Sequence, residues 1–135
     1  MIIEVDQRSD VPIYEQLHRQ IIAAIANDEL ALGDQLPSVR SLAVDLGINL
    51  HTVNKAYALL RDEGYIVMRR GSGALVADRR DSSGEANLMA EMQDKQMNDD
   101  LYRLALAYKA RGGAAAGFLD AAERQCGRAY RKCNS

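Results

Sequence analysis

The chain has 135 residues, of which 47% are hydrophobic and 27% charged, and its formal net charge is −2. This composition is typical of one ordinary globular domain, or of a small domain with an appendage. The apolar runs are too short to cross a bilayer and no leader-like segment opens the chain, so we expect a cytoplasmic protein without membrane contact. Mild acidity limits non-specific affinity for nucleic acid but leaves room for one basic face.

Two features precede the first predicted helix. Ile2, Ile3 and Val5 are β-prone and predict a short edge strand. Pro12 suits the first helical turn, where its missing N–H costs nothing. The helix is expected to continue to Ala26 and to end at Asn27-Asp28, with a loop packed back by Leu30 and Leu32. Its apolar stripe is Ile13, Leu17, Ile21, Ala24 and Ile25.

A second and a third helix are predicted around a glycine turn. Ser38 is a good N-cap for the second helix, and Gly47 supplies the positive φ that ends it. Asn49 is the predicted N-cap of the third helix, which is expected to end at Gly64. A helix, a glycine turn and another helix are the signature of a helix-turn-helix. The second helix is expected to bury Val39, Leu42, Ala43 and Leu46.

The third helix has two distinct faces. Val53, Ala56, Tyr57 and Leu60 recur at helical spacing and predict a core-facing stripe. The opposite face can form hydrogen bonds and carries no acidic residue. The alternative is an ordinary solvated helix face, but the set as a whole favours insertion into a DNA groove. This face comprises His51, Thr52, Asn54 and Lys55.

A hairpin is predicted after the third helix. Residues 65–70 and 74–77 have strand character and flank the tip Gly71-Ser72-Gly73. The tip alone would suggest an ordinary turn. Its position after the helix pair and behind Arg69-Arg70 favours a wing at the minor groove or its flanking phosphates. A nucleotide-binding glycine loop is disfavoured, because no helix N-terminus follows to hold a pyrophosphate.

Individual contacts with DNA can be assigned by chemistry. Asn54 can pair bidentately with adenine, and Leu50 can contact a thymine methyl group. Lys55 and Arg40 are expected at phosphates first, with guanine open for Arg40. The predicted DNA-binding residues are Ser38, Arg40, Asn49, Leu50, His51, Thr52, Asn54, Lys55, Arg69, Arg70, Gly71, Ser72 and Gly73.

The polar stretch from Arg79 to Glu85 predicts a boundary between domains at 1–80 and 81–135. Two amphipathic helices broken at Gly112-Gly113 follow, and they form a helical hairpin. Two helices alone bury too little surface, so we expect them to pair with a second subunit. Packing on the N-terminal domain of the same chain is the alternative. The predicted dimerisation residues are Leu88, Met92, Leu101, Leu104, Tyr108, Phe118, Leu119 and Ala122.

Neither catalysis nor a metal site is predicted. His18 and His51 are far apart, His18 being expected to be a half-buried helix residue, and no carboxylate pair or metal-ligand spacing occurs. Cys126 and Cys133 are two helical turns apart, about 10 Å, which is too far for them to bridge each other. Plain buried or half-buried thiols are expected, and a cross-subunit disulfide or redox switch is the alternative. No cofactor is expected.

The chain resembles the GntR family of transcriptional regulators, specifically its YtrA-like branch. The resemblance covers Pro12 to Val76 almost continuously. It implies a mainly α fold with a small β wing: an N-terminal winged helix-turn-helix plus a C-terminal two-helix dimerisation hairpin. It also implies a homodimer on a palindromic double-stranded DNA operator. The motifs that carry it are Pro12-Ile13-Tyr14-Glu15-Gln16-Leu17, Gly33 to Ala43, Thr52-Val53-Asn54-Lys55-Ala56-Tyr57 and Gly71-Ser72-Gly73-Ala74-Leu75-Val76.

The expected function is repression of the chain's own operon, and the resemblance suggests transporter genes as targets. A winged-helix protein-interaction module without specific DNA binding is the alternative. Regulation is open between three options: no ligand, sensing through the two cysteines, and a small-molecule effector. An effector would lie at the dimer interface, against Met89, Met92, Tyr102 or Tyr108.

Overall fold

From the first helix onward, the elements of the chain follow the predicted order in a computed structural model, which describes residues 2–78 and 84–131. Side chains are described from residue 88 onward in the second range. Contacts divide the chain into two compact units, Met1–Met89 and Ala90–Ser135. The helices that the structure describes are too short or too polar to span a membrane. The elements are α1 Ile13–Ala26, α2 Val39–Leu46, α3 Leu50–Asp62, β1 Ile66–Arg69, β2 Gly73–Val76, α4 Gly84–Ala110 and α5 Ala115–Ala129.

The predicted edge strand at the start of the chain is wrong. Residues 2–6 form neither a strand nor a helix, and they lie along α1. The side chain of Gln16 accepts from Asp6 N at 2.8 Å and donates to Asp6 O at 2.9 Å, and Gln20 holds Glu4 in the same way. Two glutamine side chains therefore supply the backbone partners that a neighbouring strand would have offered.

Helix α1 provides the centre of the N-terminal core. Leu17 and Ile21 are fully buried, and they pack in one cluster with Val53 and Leu60 of α3. Pro12 is the N-cap rather than a residue of the first turn. Asp28 has φ 62°, which confirms the predicted left-handed end of α1. Leu30 is buried as expected, whereas Leu32 is 40% exposed and does not hold the loop down.

Helices α2 and α3 form the predicted helix-turn-helix. The Ser38 hydroxyl accepts from Ser41 N at 3.0 Å and caps α2, and Gly47 ends it with φ 65°. Such a conformation is costly for a residue with a Cβ, which is why glycine suits the turn. The buried Tyr57 of α3 donates its hydroxyl to Pro37 O at 2.7 Å. This hydrogen bond fixes the entry of α2 against α3.

The wing contains more than the predicted hairpin. Strands β1 and β2 pair antiparallel, with Ile66 opposite Val76 and Arg69 opposite Gly73. The loop before α2 adds along the other edge of β2: Leu36 N donates to Ala74 O at 2.8 Å, and Val76 N donates to Asp34 O at 2.9 Å. Both edges of β2 are thereby paired, so the wing is attached to the helix-turn-helix at two places.

The C-terminal unit consists of long helices with little enclosed surface. The described side chains of α4 and α5 include none that is buried. The two helices meet near their turn, where the rings of Tyr108 and Phe118 are 6.1 Å apart. Tyr108 also covers Gly113, because a Cβ at that position would overlap the ring. The exposed large apolar residues of this region include Leu88, Met92, Met97, Leu101, Leu104, Leu106 and Leu119.

The remaining expectations concern the domain linker and the cysteines. Residues 79–83 of the predicted boundary, and Cys133, lie outside the described residues. Cys126 is exposed on α5, so the expectation of a buried or half-buried thiol is wrong for this residue.

Candidate DNA-binding surface

The first turns of α3 present the polar face that the sequence predicts. Asn49 caps the helix by accepting from His51 N at 2.7 Å. The acceptor is the side-chain amide oxygen, Oδ1, so the side-chain NH₂ group of Asn49 remains available as a donor. His51, Asn54 and Lys55 are exposed, and Thr52 is half-buried. The buried stripe of Val53, Ala56, Tyr57 and Leu60 fixes the orientation of this face, as predicted.

Leu50 is an apolar residue on the same face and is 40% exposed. It begins α3 next to the Asn49 cap. An exposed leucine among polar residues at a helix start offers van der Waals contact without a hydrogen bond, which suits a methyl group.

Three arginines near α3 have no ion-pair partner among the residues that the structure describes. Arg40 lies in the first turn of α2, and Arg69 and Arg70 lie at the end of β1 and in the turn after it; all three are exposed. None of them forms an ion pair within residues 2–78 and 84–131. Their charge therefore remains available to an anionic partner such as a phosphate.

The Lys55 ammonium has an aromatic partner that the sequence did not reveal. Its Nζ lies 3.9 Å from the centroid of the Tyr14 ring on α1. Tyr14 is half-buried and packs against the core, so the ring is a fixed support. Contact between residues 41 positions apart follows from the packing of α1 on α3, and helical periodicity alone cannot specify it.

The tip of the wing is held by a residue outside the hairpin. Gln35 Nε2 donates to Ser72 O at 2.7 Å, and Gln35 also forms a bridge with Leu75. Gly71 and Gly73 at the tip have positive φ, 86° and 76°, and are exposed. Gln35 thus orders the loop that presents the Gly71 to Gly73 backbone.

Helix α1, which packs behind α3, makes a polar side-chain contact at the C-terminal end of α3. His18 Nε2 of α1 meets Glu63 Oε1 at the C-cap of α3. The His18 side chain is 21% exposed, which confirms the half-buried helix position expected for it. Among the residues that the structure describes, no group of three His, Cys, Asp or Glu side chains could hold a metal ion.

The predicted dimerisation residues lie on α4 and α5 and are open to solvent to different degrees. Leu88, Met92, Leu104 and Leu119 are each more than half exposed. Tyr108 and Phe118 are half-buried against each other near the turn, where they line an apolar cavity of about 440 Å³ with Ala105, Lys109 and Leu119.

Known proteins resemble this chain over much of its length. It is 42% identical over 77 residues to the HTH-type transcriptional repressor YtrA of Bacillus subtilis, covering 57% of this chain and 59% of that protein. It is 34% identical over 88 residues to the regulator YhcF of the same organism, covering 65% and 68%. A solved structure of YtrA from Sulfolobus acidocaldarius, a GntR-family transcription factor, superimposes with a TM-score of 0.62 at 35% identity, covering 98% of this chain and all of that one.

The fold and the exposed face of α3 define a winged helix-turn-helix protein of the transcription-regulator class. Residues 13–76, from the start of α1 to the end of β2, match the gntR family of bacterial regulatory proteins. The chain belongs to the GntR family, and its similarities place it with the YtrA-like members. The relatives are regulators rather than enzymes.

Proposed function

We propose that this protein is a cytoplasmic, dimeric repressor that binds a palindromic operator and controls its own operon. The observation that carries the proposal is the exposed, acid-free face at the start of α3, mounted rigidly on the buried stripe of the same helix. Such a face meets the two requirements of direct readout, namely free hydrogen-bonding groups and a fixed orientation in the major groove. The name of the Bacillus YtrA repressor supports repression over activation.

In the proposed DNA-binding surface, some residues recognise bases and others contact phosphates. Asn54, His51 and Leu50 face base edges, because they are exposed in the first turns of the helix that enters the groove. Arg40, Arg69 and Arg70 contact phosphates, since each is exposed and unpaired within the described residues. The wing backbone at Gly71 to Gly73 lies beside the minor groove.

The proposed dimer forms through α4 and α5. In this proposal, residues 1–80 bind DNA and residues 81–135 form the dimer. The exposed leucines and methionines of these helices would otherwise remain in water, at a cost of about 25 cal/mol for each Å². A two-fold symmetric pair places the recognition helices about 34 Å apart on successive major-groove turns. The two-fold axis of the protein then requires a palindromic operator.

Selection of bound sequences from a random DNA pool tests this proposal. We expect an enriched consensus with two-fold symmetry and half-sites one helical turn apart. No enriched sequence would favour a protein-interaction module, and an asymmetric consensus would remove the dimer from the proposal.

The variant Asn54→Ala tests the reading role on the selected operator. It should weaken operator binding by about 1–3 kcal/mol and leave random DNA nearly unaffected, because a bidentate contact to adenine is lost. Asn27→Ala is the matched control, since Asn27 is an exposed asparagine at the end of α1. Equal weakening on both DNAs would make Asn54 a positioning residue instead.

A further inference from the structure

Lys55 differs from Arg40, Arg69 and Arg70 because, among the described residues, only Lys55 of these four rests on an aromatic ring. Its Nζ lies 3.9 Å from the Tyr14 centroid, inside the range of about 6 Å in which a cation is attracted to a ring face. No carboxylate pairs with Lys55 within the described residues. Within the described residues, the Tyr14 ring is therefore the group that attracts the Lys55 ammonium in the free protein.

The support under Lys55 is rigid and leaves the cation accessible. Tyr14 belongs to α1 and packs against the core, whereas Lys55 itself is exposed. One side of an ammonium can face a ring while its other N–H groups point to solvent, since the group has three donors. A lysine side chain otherwise loses much rotamer freedom when it is ordered, and a side chain ordered in advance loses less upon binding.

We propose that Tyr14 is a positioning residue for DNA binding: its ring holds the Lys55 ammonium on the α1 side of α3, ready for a DNA phosphate. The inference rests on the proposed function and adds to it a residue that does not itself contact DNA. Because phosphate contacts carry no sequence information, the contribution of Tyr14 is equal on operator and random DNA. In this respect Tyr14 differs from Asn54.

The sign of the Tyr14 contribution to DNA affinity depends on whether the ring contact survives in the complex, and the proposal requires that it does. If Lys55 keeps its place on the ring, removal of the ring weakens DNA binding. If Lys55 must leave the ring to reach a phosphate, the contact competes with DNA, and removal of the ring strengthens binding. The affinity of one variant therefore distinguishes preorganisation from competition.

A double-mutant cycle on the selected operator measures this contribution. Tyr14→Leu should weaken binding about three- to fivefold, whereas Tyr14→Phe, which keeps the ring face, should stay within about twofold of wild type. Lys55→Met should reduce the steepness of log K against log salt by about 1.8 for a dimer. In the Lys55→Met background, Tyr14→Leu should change affinity less than about twofold, since the cation is already absent.

The wild-type chain offers a second measurement that requires no substitution. The Lys55 CεH₂ protons should show an upfield NMR shift from the ring current of Tyr14, in the free protein and again on the operator. Tighter binding by Tyr14→Leu, equal effects of Tyr14→Leu with and without Lys55, or loss of the upfield shift on the operator would each overturn the inference while DNA binding stands. If no DNA is selected at all, the proposed function fails and the inference fails with it.

Discussion

The two units of this chain solve the problem of burying apolar surface in opposite ways. In the N-terminal unit, one cluster of buried side chains joins α1, α2, α3 and both strands, with Leu17, Ile21 and Leu60 at 0% exposure. In α4 and α5, the described side chains include none that is buried, and leucines are exposed by 42% to 67%. The first unit contains a buried core, whereas the described part of the second leaves its leucines exposed.

This difference determines which property a substitution is expected to change in each unit. In the N-terminal unit the same helix both buries its apolar stripe and presents its polar face, so stability and the proposed DNA recognition are coupled through α3. In the C-terminal helices the exposed apolar face is the surface that we propose to form the dimer. A substitution there should change assembly rather than the fold of a subunit.

The largest effect is expected from a cavity in the N-terminal core. Leu60→Ala should lower the free energy of unfolding by about 2–5 kcal/mol, because Leu60 is fully buried and its removal leaves a void. Urea denaturation at several protein concentrations checks this, and the loss should not depend on concentration. Leu59→Ala, at the neighbouring half-buried position of α3, is the control and should cost less. Equal losses would contradict the assigned core.

The next effect concerns the exposed face of α4. Leu104→Lys should shift the protein toward monomer and weaken operator binding at least about tenfold, because one bound subunit no longer brings the second. Leu106→Lys is a matched control: it is the same change on the same helix, about 200° around its axis, at a leucine that is 45% exposed. Analytical ultracentrifugation measures both. Dissociation by Leu106→Lys but not Leu104→Lys would mean that the opposite face forms the dimer.

A smaller, pH-dependent effect should be confined to the N-terminal unit. Burial raises the pKa of Tyr57 from its ordinary 10.0 to about 12. Above pH 10 the unfolded chain releases the phenol proton that the folded chain retains, so the stability contribution of this group is full below pH 10 and is lost as pH rises toward 12. Urea denaturation across this range measures the decline. Tyr57→Phe should be less stable by about 1 kcal/mol at neutral pH and should lack this part of the decline. An unchanged decline in Tyr57→Phe would assign it to another group.

The smallest effect is expected at the wing. Gln35→Ala removes the hydrogen bond to Ser72 O and should weaken DNA binding by about 0.5–1 kcal/mol through loss of order at the wing tip. Fluorescence anisotropy on operator and random DNA should show equal weakening, since no base-reading side chain is assigned to the wing and its Arg69 and Arg70 are assigned to phosphates. Gln20→Ala, a glutamine that holds the N-terminal segment instead, is the control. A loss specific to the operator would give the wing a role in reading bases.

Local signals were sufficient to predict the helix-turn-helix. Ser38, Gly47 and Asn49 act within a few residues of their own positions, and each marks a helix end that the structure confirms. The face of α3 also follows from helical spacing alone. For these features, the residues that form the sequence pattern are also the residues that determine the local structure.

Several of the missed features depend on contacts between distant segments. β-prone residues at the start of the chain predicted a strand, but Gln16 and Gln20 satisfy that backbone instead. The pairing of residues 33–36 with β2, the Gln35 contact with the wing and the ring under Lys55 have no local pattern. They follow from how α1, α2 and the hairpin pack, which periodicity does not specify.

The turn between α4 and α5 sets a constraint on how this chain can diverge. The Tyr108 ring lies where a Cβ of residue 113 would be, so a residue larger than glycine at 113 requires either movement of the ring or a smaller side chain at 108. Relatives that retain this turn should therefore change positions 108 and 113 together, a larger residue at one requiring a smaller residue at the other. A record of paired substitutions at these two sites would trace the inheritance of the C-terminal unit separately from that of the DNA-binding domain.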